Sequence, residues 1–570
     1  ADVLWGTPGY LDSLAAVHKM LTGEGVPFGI IYDGNSTDAS DAAWIQSATQ
    51  HMLSVELNLG SPDLVIFQSW HAYPKKLLPE SDADSFPSLI DAYFRARTTL
   101  TAAVAGGSVQ GILTASDSGQ ALANAPVAIS LTPVSGSGVA AVYAAGVTAP
   151  PGTQSIIFGA RVNMECNCSG AADFLVTSFL LTGGAAPVTG GFANQLAGWG
   201  VSTPGTPAAS AKMESGGLHV LAAAGQAVML NSSPLAFTGT GPVTFHVSAR
   251  VAPQSAGAGY FTAIFLGASG EIARTRIPFA AAELPVAAVA TDASGRFTAA
   301  LPSTPGDSFQ VRAGYSGDGA TWPSQAAAPY SSPGAQSVAI AAIANAASYD
   351  TYAVSPGEIV AVFGNGMGPA AMAGGTFAGG FLGTSIGGVT LRFDGIAAPL
   401  IYASDGQIAA IVPYGIHADQ TYATVGAPGG VSLPFGIPVV PAVPGLFTAD
   451  ASGFGPLAAL NVDGSLNRPA NPAQSGLPVV VFGTGEGQTS PAGVDGLVMN
   501  VPAAPLLAPA VTVGGVPATV DYFGPAPGEV AGVFQLNFRV PADAPRGDAV
   551  PVTVRVGGAG AAKTTTIAIR

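Results

Sequence analysis

Two hydrophobic periods divide the chain. Over the first hundred residues apolar positions recur every three to four residues within segments bounded by glycine, which predicts helices. The segment LDSLAAVHKMLTGEG (Leu11 to Gly25) is one, SDAAWIQSATQHMLSVELNLG (Ser40 to Gly60) a second with Ser40 or Asp41 as its N-cap, and FPSLIDAYFRAR (Phe86 to Arg97) a third. Between them lie two unbroken apolar runs, PFGIIY (Pro27 to Tyr32) and DLVIFQSW (Asp63 to Trp70), which predict buried strands. Strands alternating with helices imply parallel βα units.

From about Thr101 the period becomes two. Short strands separated by Gly, Pro, Asp and Ser turns continue to the last residue, the pattern of β-sandwiches. Ser108 to Pro133 reads as the first half of an Ig-like domain, and Ala288 to Asp318, with the turn TDASGRF (Thr291 to Phe297), as its second half. An insertion of about Ser135 to Ala280 is therefore expected within one sandwich. The last third repeats itself. EIVAVFGNGMGP (Glu358 to Pro369) is echoed by PVVVFGTGEGQ (Pro478 to Gln488), VTLRFDGIAAPLIYA (Val389 to Ala403) by VTVGGVPATVDYFG (Val511 to Gly524), and GQIAAIVP (Gly406 to Pro413) by FQLNFRVP (Phe534 to Pro541).

Composition narrows the function. Of 570 residues only 9% are charged, against about 25% in an average soluble domain. The mean hydropathy is +0.42, yet Gly and Pro interrupt every apolar stretch, so no membrane span is expected. A net charge of −15 without a basic stripe argues against nucleic acid. A surface so poor in charge has little to oppose association, so it is either consumed in large sandwich cores or buried against other copies. The opening ADVLWG has no Met and no signal peptide, which suggests a processed or truncated chain.

Few residues promise chemistry. Cys166 and Cys168 in NMECNCSG share a strand face; a local disulfide or two buried thiols is favoured over a metal site, since no His lies nearby in sequence. The six His show no metal spacing, and no cofactor is expected. GTSIG (Gly383 to Gly387) fits G-x-S-x-G, but a strand follows it where a nucleophile elbow needs a helix. GNGMG and GTGEG mimic dinucleotide loops, again with no helix to hold a pyrophosphate. Trp199, Tyr260 and Trp322 could stack on a sugar, or be core residues. Asn35-Ser36-Thr37 and Asn231-Ser232-Ser233 fit a glycosylation sequon.

Three resemblances add to this. The pieces IANAASYDTYAVSPGEIVAVFG, PLIYASDGQIAAIVP, PGLFT, NPAQSG, VFGTGEGQ, FQLNFRVP and TTTIAIR, spread over about 337–570, resemble the C-terminal domain of large secreted proteins of Solibacter-type acidobacteria. That implies paired Ig-like (IPT/TIG-like) modules and an extracellular place, without chemistry. GGFANQLAGWGVS (Gly190 to Ser202) resembles the opening of a jelly-roll carbohydrate-binding module, with GPVTFHVSARVAPQ (Gly241 to Gln254) as one of its strands. Residues 1–97, through PFGIIYDGN and VIFQSWHAYPKKLLPES, resemble the last two βα units of a (β/α)8 barrel of glycoside-hydrolase kind. That resemblance implies Asp33 and Glu80 as strand-end carboxyls and Trp70 as a sugar platform; Trp199 is a further substrate-binding candidate.

The expected fold is mainly β: multidomain Ig-like and jelly-roll sandwiches behind a short α/β segment. The expected domains are 1–100, a discontinuous Ig-like domain of 101–134 and 281–332, the insertion 135–280, and Ig-like domains at 333–444 and 445–570. Two functions follow. One is a secreted structural or adhesive protein whose partners are copies of itself or other surface proteins. The other is a secreted glycoside hydrolase whose barrel lies mostly upstream, with the sandwiches as polysaccharide-binding and spacer modules. A barrel needs about 250 residues, and the βα region here stops short of 100, so the first is expected of this chain.

Overall fold

A computed structural model describes residues 5, 10–69, 71–77, 82–136, 138–164, 169–184, 186–192, 196–204, 209–214, 217–237, 239–302, 308–318, 320–331, 338–416, 419–500, 503–561 and 563–570. The chain is mainly β, a series of Ig-like and other sandwiches, with three α-helices among the described residues, all near its start. It divides into two compact units. One gathers 1–129, 288–299 and 311–328; the other gathers 130–287, 300–310 and 329–570.

The first unit opens with α1 (Tyr10–Gly23), β1 (Gly29–Tyr32), α2 (Asp41–Leu59), β2 (Leu64–Phe67) and α3 (Phe86–Tyr93). Ser40 is the cap of α2: its hydroxyl accepts from the Ala43 N–H at 3.1 Å, and Gly60 ends the helix at φ +82°. The strands β1 and β2 pair in parallel, Gly29 beside Leu64 through Tyr32 beside Phe67, and they make a sheet of two. The expectation that both are buried holds for Ile30 and Tyr32 of β1 and fails for β2. Leu64 is 59% and Ile66 42% exposed on β2, because a parallel strand is covered only when helices lie on both faces of its sheet. The helix α3 ends at Tyr93, short of Arg97; the chain turns there into the strand Thr98–Ala105. That strand forms a hairpin with Ser108–Ala115 through Gly106 and Gly107, whose φ of +56° and +76° suit a two-residue turn. Arg296–Ala300 joins them as the third strand of the sheet.

The second unit holds two antiparallel sheets built from 140–278, strands Ala140–Ala149 to Gly270–Pro278. Between them lies an aromatic core of Phe158, Phe174, Phe179, Phe245, Phe261 and Phe279, all buried. Phe158 stacks on both Phe179 and Phe245 at 5.7 Å.

The repeated segments become two sandwiches of one topology. In the first, Ala339–Asn345, Ile359–Asn365, Gln407–Ile411 and Leu400–Ala403 lie side by side; in the second, Gly445–Leu446, Pro478–Thr484, Phe534–Arg539 and Val520–Pro525 do so in the same order. The glycine motifs are packing devices. A Cβ at Gly364 would lie 1.9 Å from the Ala339 carbonyl oxygen, and one at the equivalent Gly483 2.3 Å from that of Gly445. In both copies the glycine admits the neighbouring strand.

A buried polar network ties the two sandwiches. Asn345 Nδ2 donates to Glu358 Oε1 at 2.9 Å and to the Val443 carbonyl at 2.8 Å. Asn345 Oδ1 accepts the N–H groups of Ala347 and Ser348. Ser355 donates to Glu358 Oε2 through its N–H at 2.7 Å and its hydroxyl at 3.1 Å. The next N–H, of Ile359, donates to Thr484 Oγ1 in the other sandwich at 2.7 Å. Burial lifts the Glu358 carboxyl to about 8 against these three donors, with Asp350 adding repulsion. Burial lifts the Glu486 carboxyl, 1% exposed, to about 7, with the N–H groups of Glu486 and Gly485 offsetting this in part and no side chain among the described residues bonded to it.

Both folded pKa values exceed the ordinary 4.5. Between these values the folded state binds more protons than the unfolded chain, so stability is greatest below 4.5 and declines as pH rises through 7 and 8. The melting temperature of the second unit is expected to fall over that window, and Glu358→Gln to flatten the slope whatever it does to the absolute value. Asn345→Ala, which leaves the Glu358 and Val443 oxygens short of a donor, is expected to cost more than about 3 kcal/mol in urea unfolding.

Candidate functional site

The carboxyl ends of β1 and β2 carry the most varied polar cluster in the first unit. Asp33 follows β1 directly. Gly34 comes next because the α2 indole of Trp44 crosses it: a Cβ there would lie 2.4 Å from Trp44 Cδ1. The fully buried Trp44 donates its Nε1–H to Asp33 Oδ1 at 3.2 Å. His71, on the segment after β2, places Nε2 3.5 Å from Asp33 Oδ2. Two strand-end segments thus meet at one carboxylate, where open α/β folds place their ligand groups.

Behind Asp33 stands His51 of α2, 3% exposed. Its Nδ1–H donates to the Asp33 carbonyl at 3.1 Å, and its Nε2 accepts the Tyr10 hydroxyl at 2.6 Å. Trp5 stacks on the imidazole at 4.7 Å. Burial pushes His51 down to about 4, so the ring is neutral at pH 7, and burial also pushes Tyr10 up to about 12. His51 therefore holds the backbone beneath Asp33 and cannot shuttle protons at neutral pH.

A second set anchors the segment to the adjoining hairpin sheet of the same unit. Glu56 of α2 accepts from Tyr32 Oη at 3.1 Å and from Arg97 Nη2 at 3.1 Å. The Arg97 guanidinium lies over the Trp322 ring at 3.5 Å and that of Tyr93 at 4.7 Å. Trp322 is 3% exposed and donates to the Ala92 carbonyl, so this aromatic is a wall of the core rather than an open platform.

The other expected site residues are scattered or undescribed. Trp70 and Glu80 lie outside the described residues, as do Cys166 and Cys168. Trp199, half-buried, packs on Phe192 at 4.7 Å and Phe179 at 5.4 Å and donates to the Gly191 carbonyl. Tyr260 is 5% exposed beneath the Arg276 guanidinium. Trp44, His51 and His71 were not singled out from sequence; the spacing of Asp33 and His51 gives no motif, because the fold of β1 onto α2 brings them together.

The second unit carries a groove of its own. A groove of about 860 Å³ is lined by Thr148, Thr182, Thr244, Asp419 and Gln488 among valines and prolines. Asp419 takes φ +75° there. Among the described residues no aromatic ring lines the groove, and aromatic rings are the stacking surface that sugars favour.

No protein-family model and no curated protein matches the chain. Among solved structures it is similar to SGBP-B of the Bacteroides ovatus mixed-linkage glucan utilization locus, in complex with a mixed-linkage heptasaccharide, at 11% identity and TM-score 0.21, covering 49% of this chain and 56% of that one. It is also similar to the plexin A4 extracellular region at 10% identity and TM-score 0.14, covering 85% and 42%. A third is invasin, a bacterial integrin-binding protein, at 13% identity and TM-score 0.12, covering 54% and 57%. The chain thus spans less than two thirds of the length of each.

Because His51 is folded neutral with a pKa near 4 against an ordinary 6.5, the folded state binds fewer protons than the unfolded one between those values. The first unit is expected to lose stability as pH falls through that window. The His51 ring resonances should titrate near pH 4, followed by NMR, and His51→Phe should remove that part of the acid sensitivity.

Proposed function

We propose that this chain is a multidomain extracellular protein with a structural or adhesive role, whose sandwiches associate with copies of itself. The observation that carries this is the division of its regular structure. Among the described residues two parallel strands make up the βα sheet, too few to close a ring around a substrate, while the other sheets described belong to sandwiches and hairpins. With 9% charged residues, the chain has little electrostatic opposition to burying sandwich surface against its like. In domain terms the proposal keeps a discontinuous Ig-like domain of 101–134 and 281–332, the insertion 135–280, and Ig-like domains at 333–444 and 445–570.

One observation favours a second reading. Leu64 and Ile66 stand exposed on β2, an apolar face that further βα units would cover. On that reading the opening segment belongs to a larger glycoside-hydrolase-like barrel, Asp33 and Glu80 are strand-end carboxyls, and the sandwiches space the barrel and bind polysaccharide.

Sedimentation velocity and electron microscopy of the purified chain separate the two. Concentration-dependent assemblies are expected, and a monodisperse monomer at every concentration overturns the first reading. Reducing-sugar release from a polysaccharide panel, lost in Asp33→Asn, would establish hydrolysis by these residues and replace it.

A further inference from the structure

We infer that the free edge of the strand Thr98–Ala105 is where a second copy of this chain adds, antiparallel and centred on Ala102. This rests on the self-association proposed above and names the surface that performs it.

An open edge presents unpaired N–H and C=O groups, and proteins block such edges with charge, proline, brevity or cover. Among the described edge strands of five residues or more, each of the others carries one of these. Lys212 and Glu214 guard Ser210–Glu214; Glu271, Arg274 and Arg276 guard Gly270–Pro278; Arg296 lies in Arg296–Ala300, and Asp521 in Val520–Pro525. Prolines interrupt Leu284–Ala290, Ser324–Ser331 and Phe435–Val439. Ala140–Ala149 is approached by another strand: a Cβ at Gly436 would lie 3.0 Å from the Val142 N. Ala339–Asn345 is buried along its second half. Thr98–Ala105, TTLTAAVA, has no charge and no proline, ends its three-stranded sheet, and exposes Thr99, Thr101, Ala103 and Ala105 in alternation. At its start Thr98 Oγ1 donates to the Trp322 carbonyl and to Ser324 Oγ, and Ala96 bridges Thr321. From Thr99 onward no strand among the described residues pairs with its outer side.

The hairpin register fixes which backbone groups are free. Ala105 pairs with Ser108 across a two-residue turn and Thr101 with Ile112, so the odd-numbered residues bond inward to Ser108–Ala115. The N–H and C=O of Leu100, Ala102 and Val104 therefore point outward. Two such edges about a twofold axis at Ala102 pair Ala102 with Ala102 and Leu100 with Val104. Every outward group of those three residues is then satisfied. Leu100 and Val104 extend the inner, apolar face from one copy to the next, and on the outer face small residues meet, Thr101 beside Ala103 and Thr99 beside Ala105. Identical charged edges would repel in this arrangement; this neutral one does not.

The test uses the full chain. Ala102→Pro removes an outward N–H and no internal bond; Thr101→Lys puts a charge on the exposed row and gives up the exposed bonds of the Thr101 hydroxyl with the Ile112 N–H and carbonyl. Each is expected to weaken self-association by about tenfold or more in sedimentation velocity with the melting temperature little changed. Amide exchange of the 98–105 segment in the wild type is expected to slow as concentration rises. Should Ala102→Pro fail to fold, Thr101→Lys and the exchange data decide. Wild-type association that both folded variants keep, or exchange that ignores concentration, overturns this edge and leaves the assembly reading standing; a wild type that never associates overturns both.

Discussion

Backbone hydrogen bonding sets the terms for this molecule. Each strand brings an N–H and a C=O per residue, and those that meet neither a neighbour nor water cost about 1–3 kcal/mol each when buried. A chain with 9% charged residues cannot rely on charged side chains to keep its many sheet edges apart. It manages edges one at a time instead. Proline stands in Leu284–Ala290 and Ser324–Ser331, charge concentrates on Gly270–Pro278, and other edge strands are only two residues long. Against that background an eight-residue edge without any such device, Thr98–Ala105, is informative.

The same economy governs the interior. Where the two tandem sandwiches meet, the chain buries an amide and a carboxyl rather than more valine. Asn345 uses both ends of its amide, donating to Glu358 and Val443 and accepting from Ala347 and Ser348. An apolar junction between repeats of near-identical topology could slide or pair with the wrong module. A buried polar set is satisfied in one register only, so it exchanges some stability for a unique angle between modules. Glu486, which takes the place of Met367 of the first repeat in the second glycine turn, shows the cost: its carboxyl is as buried as the methionine, and burial outweighs the two backbone N–H groups near it.

How much of this was legible beforehand depended on range. The Ser40 cap, the Gly60 stop and the βα order were readable because their causes lie within a few residues. The tandem repeat was readable because two copies present the same turn chemistry, and Gly364 and Gly483 turned out to serve the same close approach in each. The exposure of β2 was not readable, since an apolar run does not say whether helices will cover it. The polar sets were not readable either. His51 meets Asp33 across 18 residues, Arg97 meets Glu56 across 41, and Asn345 reaches Val443 across 98; no local pattern encodes such pairs. Trp322 illustrates the same limit, since an exposed platform and a buried wall look alike in sequence.

The Asp33 cluster bears on both functional readings. Trp44 fixes one carboxyl oxygen from a fully buried position, His51 pins the carbonyl below it, and Gly34 is held to glycine by the crossing indole. These constraints on one part-buried strand-end residue fit a pre-oriented carboxylate. Yet orientation alone does no hydrolysis. Glycoside cleavage needs a second carboxyl about 5–10 Å away across the bond and walls that exclude water. Among the described residues the βα sheet has two strands, and such a walled site would need further βα units around it. In this chain the cluster is therefore best understood as a rigid corner that seats β1 and α2 against the hairpin sheet through Glu56, Arg97 and Trp322. The sheet beside this corner is the one whose outer strand is Thr98–Ala105, so a stiff corner would hold straight the edge at which we propose that a second copy adds.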